Sequence, residues 1–300
     1  MQKTQSKSTA ALWMSGWLAL MLVMVVAGRE VMRELSAFQL MELRSSLGFC
    51  FLLPVILMGG GLSIVKTKRL PWHAARNLIH YCAQLGWFYA LTLIPIGQVV
   101  TIEFTMVIWA AILATMFLGE QMTASKVAAI VLGLIGVVTI IRPAAGEINP
   151  GQMIALVAAV GFGISIALVK SLTRTENTLA IIFWMLVVQS AAGLVPTLIY
   201  WVPPSPAVWG WCVVIAICGT FSHFCMARAM TYADATVVMP MDFLRVPLTA
   251  TAGWLIYGER LDAFTVLGAA LILAGNFVNL RASTASGANL TFAARPPRNS

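Results

Sequence analysis

Two stretches of this chain, TMFLGEQMTASKV at residues 115–127 and WLIYGERLDAFTV at residues 254–266, decide its fold because they align with each other. A shift of 139 residues places Gly119–Glu120 on Gly258–Glu259, and it continues outward without a gap. The shift also matches Ala90 with Ala229, Val99 with Val238, Glu103 with Asp242, Phe104 with Phe243, Gly136 with Gly275, and Arg142 with Arg281. The chain therefore contains an internal duplication that spans most of each half.

The composition identifies the environment in which the duplicated halves fold. Of 300 residues, 60% are hydrophobic and only 10% are charged, whereas a water-soluble chain carries roughly a quarter charged residues. This excludes a soluble enzyme and a disordered chain. At about 20 residues per bilayer crossing, the apolar content suffices for roughly nine or ten transmembrane helices. The net charge of +8 is explained by basic cytoplasmic loops rather than by nucleic-acid binding.

Ten continuous apolar runs, separated by short breaks rich in Pro, Gly and charged residues, predict ten membrane-spanning helices. Barrel strands would instead show short segments of alternating apolarity. The first run lacks a small-residue cleavage site, so we expect it to be retained. The predicted spans are 12–32, 36–59, 74–94, 97–117, 124–142, 152–171, 178–200, 207–228, 234–257 and 263–281.

The runs group into a domain organisation of two repeats. We expect a cytoplasmic N-terminus at 1–11, a first five-helix repeat at 12–143, a second at 150–282 and a disordered cytoplasmic tail at 283–300. Five is an odd number, so the second copy enters the membrane in the opposite sense. The fold class predicted is therefore all-α integral membrane, with ten transmembrane helices arranged as two inverted five-helix repeats.

The distribution of Lys and Arg predicts the orientation. If the N-terminus is cytoplasmic, thirteen of the 19 basic residues, Arg76 among them, fall on the cytoplasmic side and four on the other side, with Arg44 and Arg245 inside spans. Because cytoplasmic loops are enriched in Lys and Arg, both termini are expected to face the cytoplasm. The expected location is a bacterial-type inner (plasma) membrane.

Inverted repeats are the architecture of secondary transporters, whose sites lie near the membrane midplane. Two fused bundles without a transport role remain an alternative. So do a membrane-embedded enzyme, for which the chain shows no HExxH or GxSxG motif, and a non-transporting receptor or assembly factor. A GxxxxGK[ST] loop for ATP is absent from the sequence.

The segments LGEQMTASKVAAIVLGLIGVVTIIRP (118–143) and YGERLDAFTVLGAALILAGNFVNLRA (257–282) resemble the EamA branch of the drug/metabolite transporters. The resemblance covers about residues 12–282. It implies transport of amino acids, S-adenosylmethionine, riboflavin, opine-type metallophores or other small polar metabolites, by proton or solute exchange and without a cofactor. Many relatives carry Pro midway along the fourth span, predicted here at 97–117, where this chain has Thr101 and Trp109. The ninth span, predicted at 234–257, keeps Pro240 and Pro247. The two halves are therefore expected to flex unequally.

Ionisable side chains inside spans are the candidates for chemistry, because each costs at least about 2.5–3.5 kcal/mol near the bilayer centre. Glu103 and Asp242 are repeat equivalents about 10 Å from their helix starts, so we expect them to bracket the midplane from opposite sides. They are candidates for proton coupling or for binding a substrate ammonium. The alternative is structural pairing, of Glu103 with Arg245 and of Asp242 with Arg44 or with Arg245, which lies three residues away on the same helix face.

Other polar residues are candidates for the substrate site. Arg44 and Arg245 have no charged repeat counterpart, since Phe183 and Met106 stand there, and an Arg facing a cavity can bind a carboxylate through two hydrogen bonds. The alternative is an internal salt bridge. The remaining candidates for substrate binding or coupling are Gln84, its repeat equivalent His223, and the aromatic residues Tyr81 and Tyr89.

The residues around the aligned motifs are interpreted as structural. Glycine permits the left-handed turn that ends a helix, and the following carboxylate can cap the helix that comes next. The structural set is Gly119, Glu120, Gly258, Glu259 and Pro247. We expect no metal and no cofactor.

The sequence thus favours a secondary transporter that moves a small polar, zwitterionic, amino-acid-like metabolite outward across the inner membrane. The amino acid and opine-type metallophore classes are the expected substrates. An uptake or exchange permease for S-adenosylmethionine, riboflavin or a similar nutrient is the alternative. A small-molecule substrate and the lipid bilayer are the expected partners, together with a counter-transported proton or solute.

Overall fold

A computed structural model describes residues 6–117, 122–142, 149–173, 175–233 and 235–293. The described part is all α-helical and contains no strand. Its α-helices are α1 (Lys7–Val31), α2 (Ala37–Met58), α3 (Leu70–Leu93), α4 (Ile96–Glu103), α5 (Met106–Phe117), α6 (Ala124–Ile141), α7 (Pro150–Leu172), α8 (Thr178–Ile199), α9 (Pro206–Tyr232), α10 (Ala235–Asp242), α11 (Arg245–Tyr257) and α12 (Ala263–Ala293), and a short 3-10 helix lies at Gly61–Val65.

The helices form ten membrane crossings, because α4 with α5 and α10 with α11 each make one interrupted span. Among the described residues, seven stretches are long and apolar enough to cross a membrane, and Ala263–Asn279 is a shorter apolar helix. The helix α3 is not one of the seven, since polar and charged side chains recur along it. These are His73, Arg76, Asn77, His80 and Gln84.

The two halves pack as the duplication requires. The 139-residue shift carries α1 to α7, α2 to α8, α3 to α9, α4 to α10, α5 to α11 and α6 to α12. The contacts α1 with α9 and α3 with α7 exchange under this relation, whereas α2 with α8 and α6 with α12 map onto themselves. The halves are therefore related by a pseudo-two-fold axis, and most helices pack against the opposite half.

Small residues allow α6 and α12 to approach closely. A Cβ at Gly136 would lie 2.8 Å from the carbonyl oxygen of Gly268, and a Cβ at Gly275 would lie 2.9 Å from that of Ala129. The 139-residue shift converts one of these two contacts into the other. Because lipid offers no hydrophobic driving force between helices, such close backbone packing is a main source of helix association in membranes.

Two features of the helices differ from the sequence prediction. The predicted spans 97–117 and 234–257 are each broken in two, after Glu103 and after Asp242. The last helix continues to Ala293, although a disordered tail was expected from residue 283. Before Pro296 its extension has no Pro, the residue that most strongly interrupts helical hydrogen bonding.

Candidate functional site

A cavity of about 340 Å³ lies between the two halves. Helices α1, α2, α3, α7 and α9 form most of its wall, and the two helix breaks face it. Its apolar surface comes from residues such as Met21, Phe88 and Phe162. Charged and polar groups also face it: Arg44, Arg76, His80, Gln84, Glu103, Ser165, Ser222, Asp242 and Arg245.

The helix breaks place the two carboxylates in this cavity. Helix α4 ends at Glu103 and α10 ends at Asp242, and the next residues, Phe104 and Phe243, contact each other edge to face with ring centroids 5.6 Å apart. Repeat-equivalent residues that touch must lie close to the two-fold axis. The acids are therefore held beside the axis at the centre of the molecule.

Interrupting a helix in a membrane frees backbone groups that need partners. The side-chain amide of Asn276 on α12 donates to the carbonyl oxygen of Phe104 at 3.0 Å, and the Thr105 hydroxyl donates to the carbonyl of Ile102 at 2.8 Å. The break after Glu103 is thus satisfied by neighbouring side chains. Discontinuous helices of this kind form the substrate sites of many transporters.

Arg245 joins the two carboxylates. It donates from Nη1 to Glu103 Oε1 at 2.9 Å and from Nη2 to Asp242 Oδ2 at 3.4 Å. Tryptophans bind the other carboxylate oxygens, Trp87 to Glu103 at 2.9 Å and Trp17 to Asp242 at 2.6 Å. The structure therefore places Asp242 with Arg245 and not with Arg44. The acids also meet through one guanidinium rather than facing each other across the midplane.

Arg44 lies elsewhere on the cavity wall. Its Nη1 donates to the side-chain oxygens of Gln84 and Gln189, each at 3.3 Å. Gly219 on α9 makes room for this guanidinium, since a Cβ there would lie 2.7 Å from Arg44 Nε. Arg76, which the distribution of basic residues predicts to lie on the cytoplasmic side, is buried on the wall as well. It lies near the start of the predicted span 74–94, and α3 begins still earlier, at Leu70, so that Arg76 lies within the bundle.

The aromatic candidates do not reach the cavity. Tyr81 is buried in the core of the bundle rather than on the cavity wall, and Tyr89 is 50% exposed on the outside of α3. Their helical positions explain this, because the wall side of α3 carries Arg76, His80, Gln84 and Trp87. His223 lies within α9, but its side chain is outside the part of the structure that is described.

The motif Gly258–Glu259 links the end of α11 to α1 and α4. Gly258 ends α11 in the left-handed conformation (φ +66°), and Glu259 pairs with Arg29 of α1 and accepts from the backbone N–H of Ile96 at 2.9 Å. Glu259 therefore caps α4 and not the helix that follows it. That helix, α12, is capped by Asp262, which accepts from the Thr265 N–H at 2.6 Å.

The other structural candidates divide into described and undescribed residues. Pro247 occupies the first turn of α11, where its missing N–H leaves no helical hydrogen bond unmade. Gly119 and Glu120 lie outside the described residues. The described residues contain no group of three or more His, Cys, Asp or Glu side chains that could hold a metal ion.

Sequence reasoning missed Trp17, Trp87 and Gln189 as part of the site. Their residue types do indicate a buried hydrogen-bonding role, because an indole N–H or an amide inside a lipid-embedded bundle must find a partner. The sequence nevertheless gives no means to choose which of ten tryptophans faces a buried carboxylate.

Comparison with known proteins assigns the family. The model of the EamA-like transporter family matches twice, at residues 8–142 and 149–281. An S-adenosylmethionine uptake transporter of Rickettsia prowazekii is 27% identical over 80% of this chain and 81% of its own. A riboflavin transporter of Rhizobium johnstonii is 29% identical over 78% of each chain.

Two further matches are more distant. The pseudopaline exporter CntI of Pseudomonas aeruginosa is 24% identical over 84% of this chain and 88% of its own. A solved crystal structure covers 91% of this chain and 96% of its own, with a TM-score of 0.63 at 18% identity, and supports the fold alone. Since the family model matches each half of the chain in turn, this protein belongs to the EamA-like transporter family of the drug/metabolite transporter superfamily and is a transporter, not an enzyme.

Proposed function

We propose that this transporter carries a small zwitterionic, amino-acid-like metabolite through the central cavity by alternating access. The observation that carries the proposal is that groups of both charges line one buried cavity. The cluster of Glu103, Asp242 and Arg245 holds two carboxylates and one guanidinium, and so attracts a cationic group when both acids are ionised. Arg44 and Arg76 supply positive charge to the wall and attract a carboxylate.

Export is the direction that we expect. Uptake or exchange of S-adenosylmethionine is the second candidate, because several of the most similar relatives are named S-adenosylmethionine uptake transporters. This molecule has an amino acid head and a sulfonium cation, so it has the separated charges that the cavity wall complements. Riboflavin, which is named in other relatives, has no such pair of charges.

The two-fold architecture supports a rocking mechanism. Each half contributes one broken helix and one acid to the cavity. If the two halves swap conformations, the cavity therefore opens to the opposite side of the membrane. At one end Arg29 pairs with Glu259, and this pair is proposed to keep that end closed. The cavity extends towards the other end, where Arg76 and Val169 line it. In the proposed orientation this is the cytoplasmic end.

Proton coupling is proposed to run through Glu103 or Asp242. The test is transport of labelled S-adenosylmethionine and of labelled amino acids into proteoliposomes, with and without a pH gradient. We expect transport by the wild type and loss of the pH-gradient response in Glu103→Gln or Asp242→Asn. The matched control is Glu34→Gln, because Glu34 binds Ser205 in a surface loop. If the transport rate and its pH dependence are unchanged in both cavity variants, the two carboxylates do not take part in proton coupling.

A further inference from the structure

Two arginines on the cavity wall have no carboxylate partner among the described residues. Arg44 is 3% exposed and Arg76 is 7% exposed. They lie close enough for the charge of Arg44 to act on Arg76. Two like charges in a buried site repel each other and have lost most of their hydration. Such an arrangement is costly unless an anion completes it.

The partners that these arginines do have are neutral and few. Arg44 donates to the amide oxygens of Gln84 and Gln189, both at 3.3 Å. Arg76 donates to Asn77, its neighbour in sequence, at 2.7 Å. The buried Nε atom of each arginine has no hydrogen-bond partner in the described structure. Donors therefore remain on both guanidinium groups.

The third buried arginine of the described residues has carboxylate partners, and so does the half-buried Arg29. Arg245 binds Glu103 and Asp242, and Arg29 binds Glu259. Arg44 and Arg76 differ from these although they line the same cavity as Arg245. Gly219 also leaves the space that the Arg44 guanidinium occupies. The arrangement is typical of a site whose counter-charge arrives with a ligand.

We propose that Arg44 and Arg76 form an anion subsite that binds the carboxylate of the transported solute. This deepens the proposed function and rests on it. The substrate then binds with its carboxylate at Arg44 and Arg76 and its cationic group towards Glu103 and Asp242. Arg245 is held by the two acids and does not bind the carboxylate. The pair thus determines the specificity for carboxylate-bearing solutes.

The first test uses the purified protein without any ligand. Replacing Arg76 with Gln removes an uncompensated charge, so the melting temperature of Arg76→Gln should rise by about 2–4 °C. Arg245→Gln leaves two buried carboxylates unpaired and should lower the melting temperature. Arg228→Gln, which alters an arginine outside the cavity, is the control and should change it little. A fall for Arg76→Gln comparable to that for Arg245→Gln would show that Arg76 is structural and would overturn the proposal.

The second test measures binding of S-adenosylmethionine and of its decarboxylated analogue. The wild type should bind the carboxylated compound about 10- to 100-fold more tightly, which is the effect of losing charge-assisted hydrogen bonds. Arg44→Gln and Arg76→Gln should abolish that preference, whereas Arg228→Gln should keep it. A preference that survives in both cavity variants would overturn the subsite and leave the proposed function standing.

Two other outcomes are also informative. Equal binding of the two compounds by the wild type would contradict the subsite, and it is the result expected if the arginines instead hold a lipid phosphate. If the wild type binds neither compound, S-adenosylmethionine fails as a substrate. The subsite is then still decided by the melting temperatures of the ligand-free variants.

Discussion

At the residue scale, Arg245 is the cation that pairs with both carboxylates of the central cavity. It is 2% exposed and contacts both carboxylates, and its guanidinium lies 4.8 Å from the Phe104 ring centroid. The sequence identified all three ionisable groups because charges inside apolar spans are conspicuous. It could not predict their pairing, because that depends on where two helices from different halves break and meet.

Removing this guanidinium should be severe. Arg245→Gln leaves two carboxylates buried without a cation, and breaking a buried ion pair in this way costs about 3–5 kcal/mol. We expect a lower midpoint in thermal unfolding and loss of transport. Arg245→Lys keeps the charge but loses the planar geometry that reaches both acids, so its stability should be intermediate. A melting temperature equal to that of the wild type in Arg245→Gln would contradict the central role of this cluster.

Asp262, in the loop before α12, gives a pH-dependent prediction. Burial acts to raise its pKa, but hydrogen bonds from Thr265 and the nearby Arg142 guanidinium, 2.5 Å away, hold that pKa below its ordinary value. A depressed pKa means that the carboxylate stabilises the fold above about pH 4 and loses this effect as pH falls below it. The stability difference between wild type and Asp262→Asn should therefore shrink on acidification. An unchanged difference from pH 7 to the acid limit would contradict the assignment.

At the element scale, the broken helices are the main departure from the sequence prediction. The breaks at residues 104–105 and 243–244 contain neither Pro nor Gly, the residues by which helix ends are recognised. The break after Glu103 has a tertiary contribution, since Asn276 from another helix satisfies the freed carbonyl of Phe104. At the second break Pro247 contributes locally, because it lacks the N–H that would bond the Phe243 carbonyl. Continuous spans such as α1 and α2 contain no such break and could be predicted from hydropathy alone.

The packing of α6 against α12 leads to an element-scale prediction. An Ala at position 136 or 275 places a Cβ within 3 Å of the facing helix's backbone oxygen. Both substitutions should therefore destabilise the protein by about 1–3 kcal/mol. The control is Gly210→Ala in α9, where no atom lies within 4 Å of the new Cβ. Unfolding midpoints for the three variants check this, and a loss at Gly210 equal to that at Gly136 would argue against close packing at the axis.

At the scale of the whole molecule, the inverted duplication accounts for the fold and for the position of the site. The 139-residue shift predicts which helices are equivalent, and the structure pairs them around a common axis. Side-chain directions were less predictable, because nearly every helix face is apolar and the pattern does not distinguish cavity from lipid. For this reason the sequence did not separate Arg76, which lies on the cavity wall, from Tyr89, which lies on the outside of α3.

The orientation of the whole molecule can be tested by cysteine labelling. Lys66 and Arg33 are exposed at opposite ends of α2. In a variant without the native cysteines, Arg33→Cys should react with a membrane-impermeant maleimide added to intact cells, whereas Lys66→Cys should react only after lysis. The reverse pattern would place both termini outside and invert the proposed orientation.

The most direct test of the central claim is to compare small molecules inside and outside cells that contain or lack this protein, by untargeted mass spectrometry. We expect that a solute with both a carboxylate and a cationic group changes its distribution, and that Arg44→Gln with Arg76→Gln abolishes the change. Accumulation inside cells that lack the protein would mean export, and failure to enter them would mean uptake. If only solutes without a carboxylate change their distribution, the account of the cavity is contradicted.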